Sequence, residues 1–160
     1  MRFRFAVLVA VTSVLTVVSP ATAGHPATIA NSAVDDWSQL DRLLFRISLP
    51  AFLKARAGGD PRFDWSTDNC SAPLIGDTGR SFNFRDPCRR HDFGYRNLQL
   101  MERRYAGAGA YWNATNRRRV DEMFLADMRT HCRSRSLPLR PTCQVWAETF
   151  FRAVRIAGGP

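Results

Sequence analysis

Lysine is almost absent from this 160-residue chain, in which Lys54 is the only example and arginine carries the rest of the basic side-chain charge. The formal net charge at neutral pH is +9. Arginine makes bidentate contacts to phosphate that lysine cannot make, so this composition favours anionic partners such as phospholipid or nucleic acid. A basic surface that only keeps the protein soluble would give the same charge.

Long apolar runs are also missing, apart from one near the N-terminus. The run 5–18 follows two arginines and precedes a few small residues, and it is shorter than the ~20 residues of a membrane-spanning helix. This order predicts a signal peptide over residues 1–23 and a secreted, extracellular protein. Loss of both arginines with that peptide lowers the net charge to about +7. Residues 24–160 then suit a single catalytic domain with its own core.

Several metal and nucleophile motifs are absent as well. No cysteine pair has the close spacing of a zinc knuckle, no EF-hand calcium loop occurs, and no Gly-x-Ser-x-Gly elbow is present. An even number of cysteines in an exported chain favours two disulfides. Four cysteines allow three pairings, and their order along the chain favours 70–88 and 132–143. The cysteines are Cys70, Cys88, Cys132 and Cys143.

No segment shows the alternation of a β-strand, so the periodicity predicts an all-α protein, mainly helical and pinned by two disulfides. Proline and glycine mark the breaks between the helices. The predicted order is a first helix from Val34 to Pro50, a structured loop over 63–87, a second helix from Pro87, a mobile connection over 99–116, a third helix over 116–132 and a fourth helix after Pro141.

A histidine and a carboxylate stand side by side in the second predicted helix. His91 and Tyr95 share one face of that helix, whereas Asp92 points about 100° away. Asp121 lies on the apolar stripe of the third helix, where a carboxylate needs a hydrogen-bond donor. If the two helices pack antiparallel, Asp121 can accept a hydrogen bond from His91 and leave the other ring nitrogen as a base. First-turn helix chemistry is the alternative explanation of Asp121.

Asp92 is then free to bind a cation. Calcium takes roughly six to eight oxygen ligands and commonly mixes carboxylates with backbone carbonyls. The loop 64–70 supplies such groups, and a disulfide from Cys70 to Cys88 would bring it close to Asp92. Ordinary turn or capping chemistry is the alternative for the carboxylates of this loop.

Three blocks of the sequence resemble the secreted phospholipase A2 family, in particular its small bacterial and fungal branch. The resemblance implies that His91 is the base and Asp121 its orienting partner, with Tyr95 orienting a carboxylate or lining the pocket. The implied fold has two antiparallel core helices, and the implied disulfides agree with 70–88 and 132–143. The three blocks are 63–70, 88–97 and the helix 116–132 followed by Cys143 and Trp146.

The resemblance also implies a bound Ca2+, held by the carboxylates of Asp68 and Asp92 and by the backbone carbonyl of Asn69. The implied reaction is hydrolysis of the sn-2 ester of a glycerophospholipid to a lysophospholipid and a fatty acid. The substrate would be presented in phospholipid membranes or micelles to a monomeric enzyme, with no nucleic acid partner.

Two departures from the family stand out. The segment 98–115 is longer than in the bacterial relatives, and its aromatic residues could touch a membrane surface. Asn69 stands where an apolar residue is common. Two alternative functions stay open, namely a non-catalytic cationic membrane-binding protein, which has no need of His91 beside Asp92, and a secreted basic ribonuclease.

Overall fold

The computed structural model describes residues 26–69, 78–79 and 82–157. These residues contain five α-helices and one short hairpin, so the predicted all-α class is confirmed. Among them no helix is both long and apolar enough to cross a bilayer. The helices are α1 (Pro26–Asp41), α2 (Leu49–Gly58), α3 (Arg85–Tyr105), α4 (Ala114–Arg133) and α5 (Arg140–Ala157), and strands β1 (Thr78–Gly79) and β2 (Phe82–Asn83) pair antiparallel.

Two sequence predictions fall outside the described residues. The signal peptide predicted over 1–23 is one of them. The other is the Cys70 end of the predicted 70–88 disulfide, although Cys88 is disulfide-bonded. The second predicted bridge, Cys132–Cys143, is present and joins the end of α4 to the start of α5.

The first predicted helix begins earlier than expected, at Pro26, and ends just before Pro50 as expected, but Pro50 belongs to a second helix that the sequence reasoning missed. A π-helical turn over Arg42–Arg46 follows α1, and the backbone is then extended at Ile47. The Ser48 hydroxyl caps α2 by accepting a hydrogen bond from the Ala51 N–H at 3.4 Å. Pro50 lies in the first turn of α2, where its missing N–H costs nothing. It therefore helps to start α2.

The second predicted helix is longer than expected, because α3 continues to Tyr105. The prediction of a connection over 99–116 is therefore wrong for 99–105. The loop 106–113 that follows is held by the Glu102 carboxylate, which accepts hydrogen bonds from the N–H groups of Gly109, Tyr111 and Trp112 at 2.6, 3.0 and 3.0 Å. This carboxylate gives the loop a defined shape.

Helices α3 and α4 pack antiparallel, as the sequence predicted. The Arg90 guanidinium donates to both oxygens of Asp127 in a buried ion pair, and its Nη1 donates to the Ile47 carbonyl at 2.8 Å. One turn along α3, a Cβ on Gly94 would lie only 2.7 Å from Cγ1 of Val120. The missing side chain therefore allows the two helices to approach closely beside the predicted site.

Two apolar clusters form the core on either side of this helix pair. The first packs α4 against α5 and the hairpin, and the second packs α1 and α2 against α3. Since α5 runs back along α4 from the disulfide, the C-terminal half of α5 lies beside the N-terminal half of α4. The largest fully buried members are Phe82, Phe84, Phe124, Met128 and Phe150 in the first cluster and Leu40, Leu43, Leu44, Phe52, Phe93, Leu98 and Met101 in the second.

Candidate active site

His91 and Asp121 meet across the α3–α4 interface. The Nε2 atom of His91 lies 2.9 Å from Oδ1 of Asp121. Asp121 is fully buried, whereas His91 keeps 9% of its surface exposed. A neutral imidazole that donates through Nε2 has Nδ1 as its acceptor nitrogen. The geometry therefore provides a histidine with one nitrogen tied to a carboxylate and the other available for a proton.

Two further donors complete the environment of Asp121. The Tyr95 hydroxyl donates to Oδ1 at 2.8 Å, and Nη1 of Arg155 donates to Oδ2 at 2.8 Å. Burial raises the pKa of Asp121, but the hydrogen bonds from His91, Arg155 and Tyr95 outweigh it and lower the pKa below its usual value. Burial and the neighbouring carboxylate raise the pKa of Tyr95, so its hydroxyl remains a donor. Asp121 is thus held as a charged acceptor.

The predicted cation loop contacts Asp92. Oδ2 of Asp92 accepts hydrogen bonds from the Thr67 hydroxyl and from the N–H of Asp68, the latter at 3.1 Å. Asn69 follows in a left-handed conformation with φ 57°, which asparagine tolerates better than most residues. Burial raises the pKa of Asp92, and the nearby negative charge of Asp68 adds to that rise. The structure thus brings together the three residues predicted to hold Ca2+.

These groups fit the chemistry of a calcium site. The Asp68 carboxylate on an irregular loop and the Asp92 carboxylate on α3 repel each other. Such carboxylates are the kind of oxygen donors that calcium uses, and an added cation relieves their repulsion. Within the described ranges, no three histidine, cysteine, aspartate or glutamate side chains lie together in a group that could hold a metal ion. A calcium site here would therefore depend on backbone carbonyls as well as on Asp68 and Asp92.

Asn97 fastens the loop to α3 and was missed by the sequence reasoning. Its side chain accepts a hydrogen bond from the Asp64 N–H and donates one to the Asp64 carbonyl, both at 2.8 Å. The Asp64 carboxylate itself accepts a hydrogen bond from the Ser66 N–H at 2.9 Å, which is the turn chemistry considered as its alternative. Trp65 packs on Phe93 with ring centroids 4.4 Å apart. The loop is therefore anchored on the helix that carries His91.

The aromatic residues of the segment 98–115 pack onto the protein. The Tyr105 hydroxyl donates to Asp36 at 2.6 Å. The Tyr111 ring lies 5.6 Å from that of Trp37, and the Trp112 ring lies 5.3 Å from that of Tyr95. All three aromatic residues are half-buried. Their main contacts are with α1 and α3, and the membrane-facing role expected for them stays a prediction.

Comparison with known proteins places this arrangement in a family. The sequence profile of the prokaryotic phospholipase A2 family matches residues 40–158, which include both core helices and every predicted site residue. The chain belongs to this family. It is therefore a phospholipase A2, and its all-α fold with a disulfide between α4 and α5 agrees with that assignment.

Two fungal proteins are similar to this phospholipase A2. A protein named secretory phospholipase A2 from Beauveria bassiana (strain ARSEF 2860) is 33% identical over 141 residues, which cover 88% of this chain and 68% of the relative. Another of the same name, from Arthroderma benhamiae (strain ATCC MYA-4681 / CBS 112371), is 40% identical over 93 residues, which cover 58% of this chain and 56% of the relative. The chain thus spans between half and three quarters of the length of these relatives.

Arg155 is a second residue at the site of this phospholipase A2 that sequence reasoning missed. It lies on α5, beyond the apolar stripe used to predict that helix. A signal was nevertheless present, because Asp121 stands eleven residues before Cys132 and Arg155 twelve residues after Cys143. When two helices run antiparallel from one disulfide, residues at similar distances from that disulfide lie side by side. The bridge and the spacing together would have predicted the contact.

Proposed function

We propose that this phospholipase A2 hydrolyses the sn-2 ester of glycerophospholipids with a water molecule activated by His91. The observation that carries the proposal is the 2.9 Å contact between His91 Nε2 and the buried Asp121 carboxylate. Asp121 holds the ring in one orientation and stabilises the positive charge that His91 gains when Nδ1 takes a proton. The water oxygen then bonds to the ester carbonyl carbon.

The same histidine completes the reaction. As the bond from the carbonyl carbon to the glycerol oxygen breaks, the proton on Nδ1 of His91 passes to that oxygen. The products are a lysophospholipid and a fatty acid, and no acyl group is attached to the protein. Tyr95 and Arg155 keep Asp121 charged throughout, because both donate hydrogen bonds to it.

Asp68, Asp92 and the backbone carbonyl of Asn69 are the groups that would hold Ca2+. When bound, calcium supplies positive charge for the substrate phosphate and for the oxyanion that develops on the ester carbonyl. The hydrogen bonds that the Asp92 carboxylate accepts from the Thr67 hydroxyl and from the backbone N–H of Asp68 support this assignment, since they tie the loop to the helix that carries Asp92 and His91.

The proposal extends to the whole chain. Residues 1–23 are a signal peptide, residues 24–160 form one catalytic domain, and the mature protein is secreted and acts as a monomer on phospholipid membranes or micelles. The names of the fungal relatives support secretion. N-terminal sequencing of protein recovered from a culture medium tests the cleavage site, and retention of residues 1–23 would contradict it.

One assay tests the chemistry. Fatty acid release is measured from phospholipid labelled at the sn-2 acyl chain, with calcium or with chelator, for the wild type and His91→Asn. We expect chelator to abolish release and His91→Asn to lower turnover by about 10²–10⁴-fold, the usual contribution of a general base. His131→Asn is the matched control, because this histidine lies at the far end of α4.

Each component of the proposal has its own contrary result. Full activity in chelator would contradict the role of calcium. Undiminished activity of His91→Asn would contradict the role of His91 as the base. Release of label placed only at the sn-1 chain contradicts the position of cleavage. Vesicle binding without any fatty acid release would favour the non-catalytic alternative, and calcium-independent cleavage of RNA would favour the ribonuclease.

A further inference from the structure

Arg117 is a buried guanidinium without a hydrogen-bond partner in the part of the chain that the structure describes. Only 7% of the residue is exposed, and its Nε and Nη1 atoms are both buried and unpaired. Its Cζ lies 5.6 Å from the centroid of the Trp112 ring. Burying an arginine is costly unless an anion pairs with it, and contact with one aromatic ring compensates only part of that cost.

The position of Arg117 on its helix adds to the cost. It is the fourth residue of α4, and a helical side chain is tilted toward the helix N-terminus. The contact with Trp112, which precedes the helix, agrees with that direction. A helix N-terminus carries partial positive charge, which disfavours a cation and favours an anion. The fold therefore places two positive contributions together, and no carboxylate of the described residues forms an ion pair with Arg117.

The carboxylate nearest along α4 does not neutralise Arg117. Asp121 lies one turn further on the same face, but its hydrogen bonds come from His91, Tyr95 and Arg155. Tyr95 connects the two places, because its hydroxyl contacts Asp121 and its ring lies 5.3 Å from Trp112. The positive charge of Arg117 also opposes the rise that burial causes in the pKa of Tyr95. Arg117 thus adjoins the active site while its own charge is unmatched.

We propose that Arg117 binds an oxyanion carried by a lipid, either the phosphodiester of a phospholipid or the carboxylate of a fatty acid. Both offer two oxygens to the planar guanidinium. A lipid anion is favoured over a hydrated inorganic ion because Nε and Nη1 are fully buried beside the Trp112 ring, an apolar setting that suits an acyl chain better than hydration water. The choice of lipid rests on the proposed function, whereas the presence of an anion site does not.

The test measures binding without turnover. Isothermal titration in chelator uses three probes below their aggregation limits: lysophosphatidylcholine, decanoate and inorganic phosphate. We expect Arg117→Met to weaken binding of lysophosphatidylcholine or of decanoate by about 10- to 100-fold, the range for a lost charge-assisted hydrogen bond. The probe that is affected identifies the source of the anion. Because calcium and hydrolysis are excluded, the result does not depend on the proposed mechanism.

Arg118→Met is the matched control, since the neighbouring Arg118 forms an exposed pair with Glu122 and should leave every affinity unchanged. Without probe, Arg117→Met should be at least as stable to urea as the wild type, because an unpaired buried charge is lost. Should Arg117→Met fail to fold, Arg117→Lys keeps the charge without the planar fork and repeats the titration, again with weaker lipid binding expected.

Three results would overturn the proposal. The first is equal affinity of the wild type and the Arg117 variants for all three probes. The second is weakening for inorganic phosphate alone, which would remove the lipid from the site. The third is a variant less stable than Arg118→Met with unchanged affinities, because Arg117 would then serve only to pack against Trp112.

Discussion

Asp121 receives hydrogen bonds from three side chains, and they differ in kind. His91 changes charge during the proposed reaction, Tyr95 stays neutral, and Arg155 stays positive throughout. A fully buried carboxylate without a permanent counter-charge tends to become protonated. Arg155 thus keeps Asp121 ionised even when the imidazole is neutral, and its hydrogen bond goes to the carboxylate at 2.8 Å. It acts as a positioning residue for the proposed base through Asp121.

We therefore expect Arg155→Gln to lower kcat by roughly tenfold with little change in KM, since ring orientation is affected more than substrate binding. Arg155→Lys should recover part of the loss because the charge returns. Arg152→Gln, an exposed arginine on the same helix, is the control. A change in KM with unchanged kcat would assign Arg155 to substrate binding instead.

The same variant has a pH signature in urea unfolding. The pKa of Asp121 is lowered in the folded state, so its stabilising contribution is present above the unfolded pKa and is lost as the pH falls through the folded value. Arg155→Gln should therefore be less stable than the wild type at neutral pH, and the difference should disappear in acid. A difference that persists at acidic pH would indicate lost packing by Arg155.

At the scale of the helices, the α3–α4 crossing depends on Gly94. A Cβ there would meet both Cγ atoms of Val120 at 2.7 and 3.0 Å and Cδ2 of Leu44 at 3.1 Å. Glycine in a helix interior costs about 1 kcal/mol relative to alanine, so this position gives up helix stability to allow a close crossing. Gly94 lies on α3 between His91 and Tyr95, and both of these residues contact Asp121 on α4. The crossing therefore also sets the spacing of the site.

Gly94→Ala should destabilise the protein by up to about 2 kcal/mol, because overpacking costs about 1–3 kcal/mol and better helix propensity returns part of it. Adding Val120→Ala should recover much of the loss by making room. Gly58→Ala is the control, since nothing lies within 4 Å of a Cβ at that position. Urea unfolding measures all four proteins, and a Gly94→Ala variant as stable as Gly58→Ala would contradict the crowding.

The helices show why part of the structure could be predicted and part could not. The apolar stripes of α4 and α5 are regular, so the predicted helices agree with the observed ones to within a few residues. Helix α2 was missed because Pro50 was read only as the end of the first helix, whereas proline also suits the first turn of the next one. The contact of His91 with Asp121 followed from which faces the residues occupy. Arg155 was missed because its contact depends on how α5 is aligned with α4.

At the scale of the whole molecule, α4 and α5 form an antiparallel pair joined at one end by Cys132–Cys143. Along this pair the Arg129 guanidinium contacts Glu148, and Arg155 contacts Asp121. The disulfide closes the turn, the two arginine contacts follow at increasing distance from it, and the last one reaches the active site. The alignment of the pair is therefore part of the catalytic geometry.

Replacing both cysteines, Cys132→Ser with Cys143→Ser, should lower the free energy of unfolding by about 2–4 kcal/mol, as expected for a short closed loop. We also expect kcat to fall in protein that remains folded, because α5 is no longer fixed against α4 and the Arg155 contact with Asp121 weakens. Urea unfolding and the fatty acid assay measure the two effects. An unchanged kcat in folded protein would show that the α4–α5 core alone aligns the helices.

This dependence on a disulfide also has a cellular consequence. Cytoplasm keeps cysteines reduced, whereas the space outside the cell lets them pair. An exported chain would therefore be made in a form whose α5 is not yet fixed, beside the membranes of the cell that makes it. Formation of the Cys132–Cys143 bond after export would then delay full activity until the enzyme has left the cytoplasm.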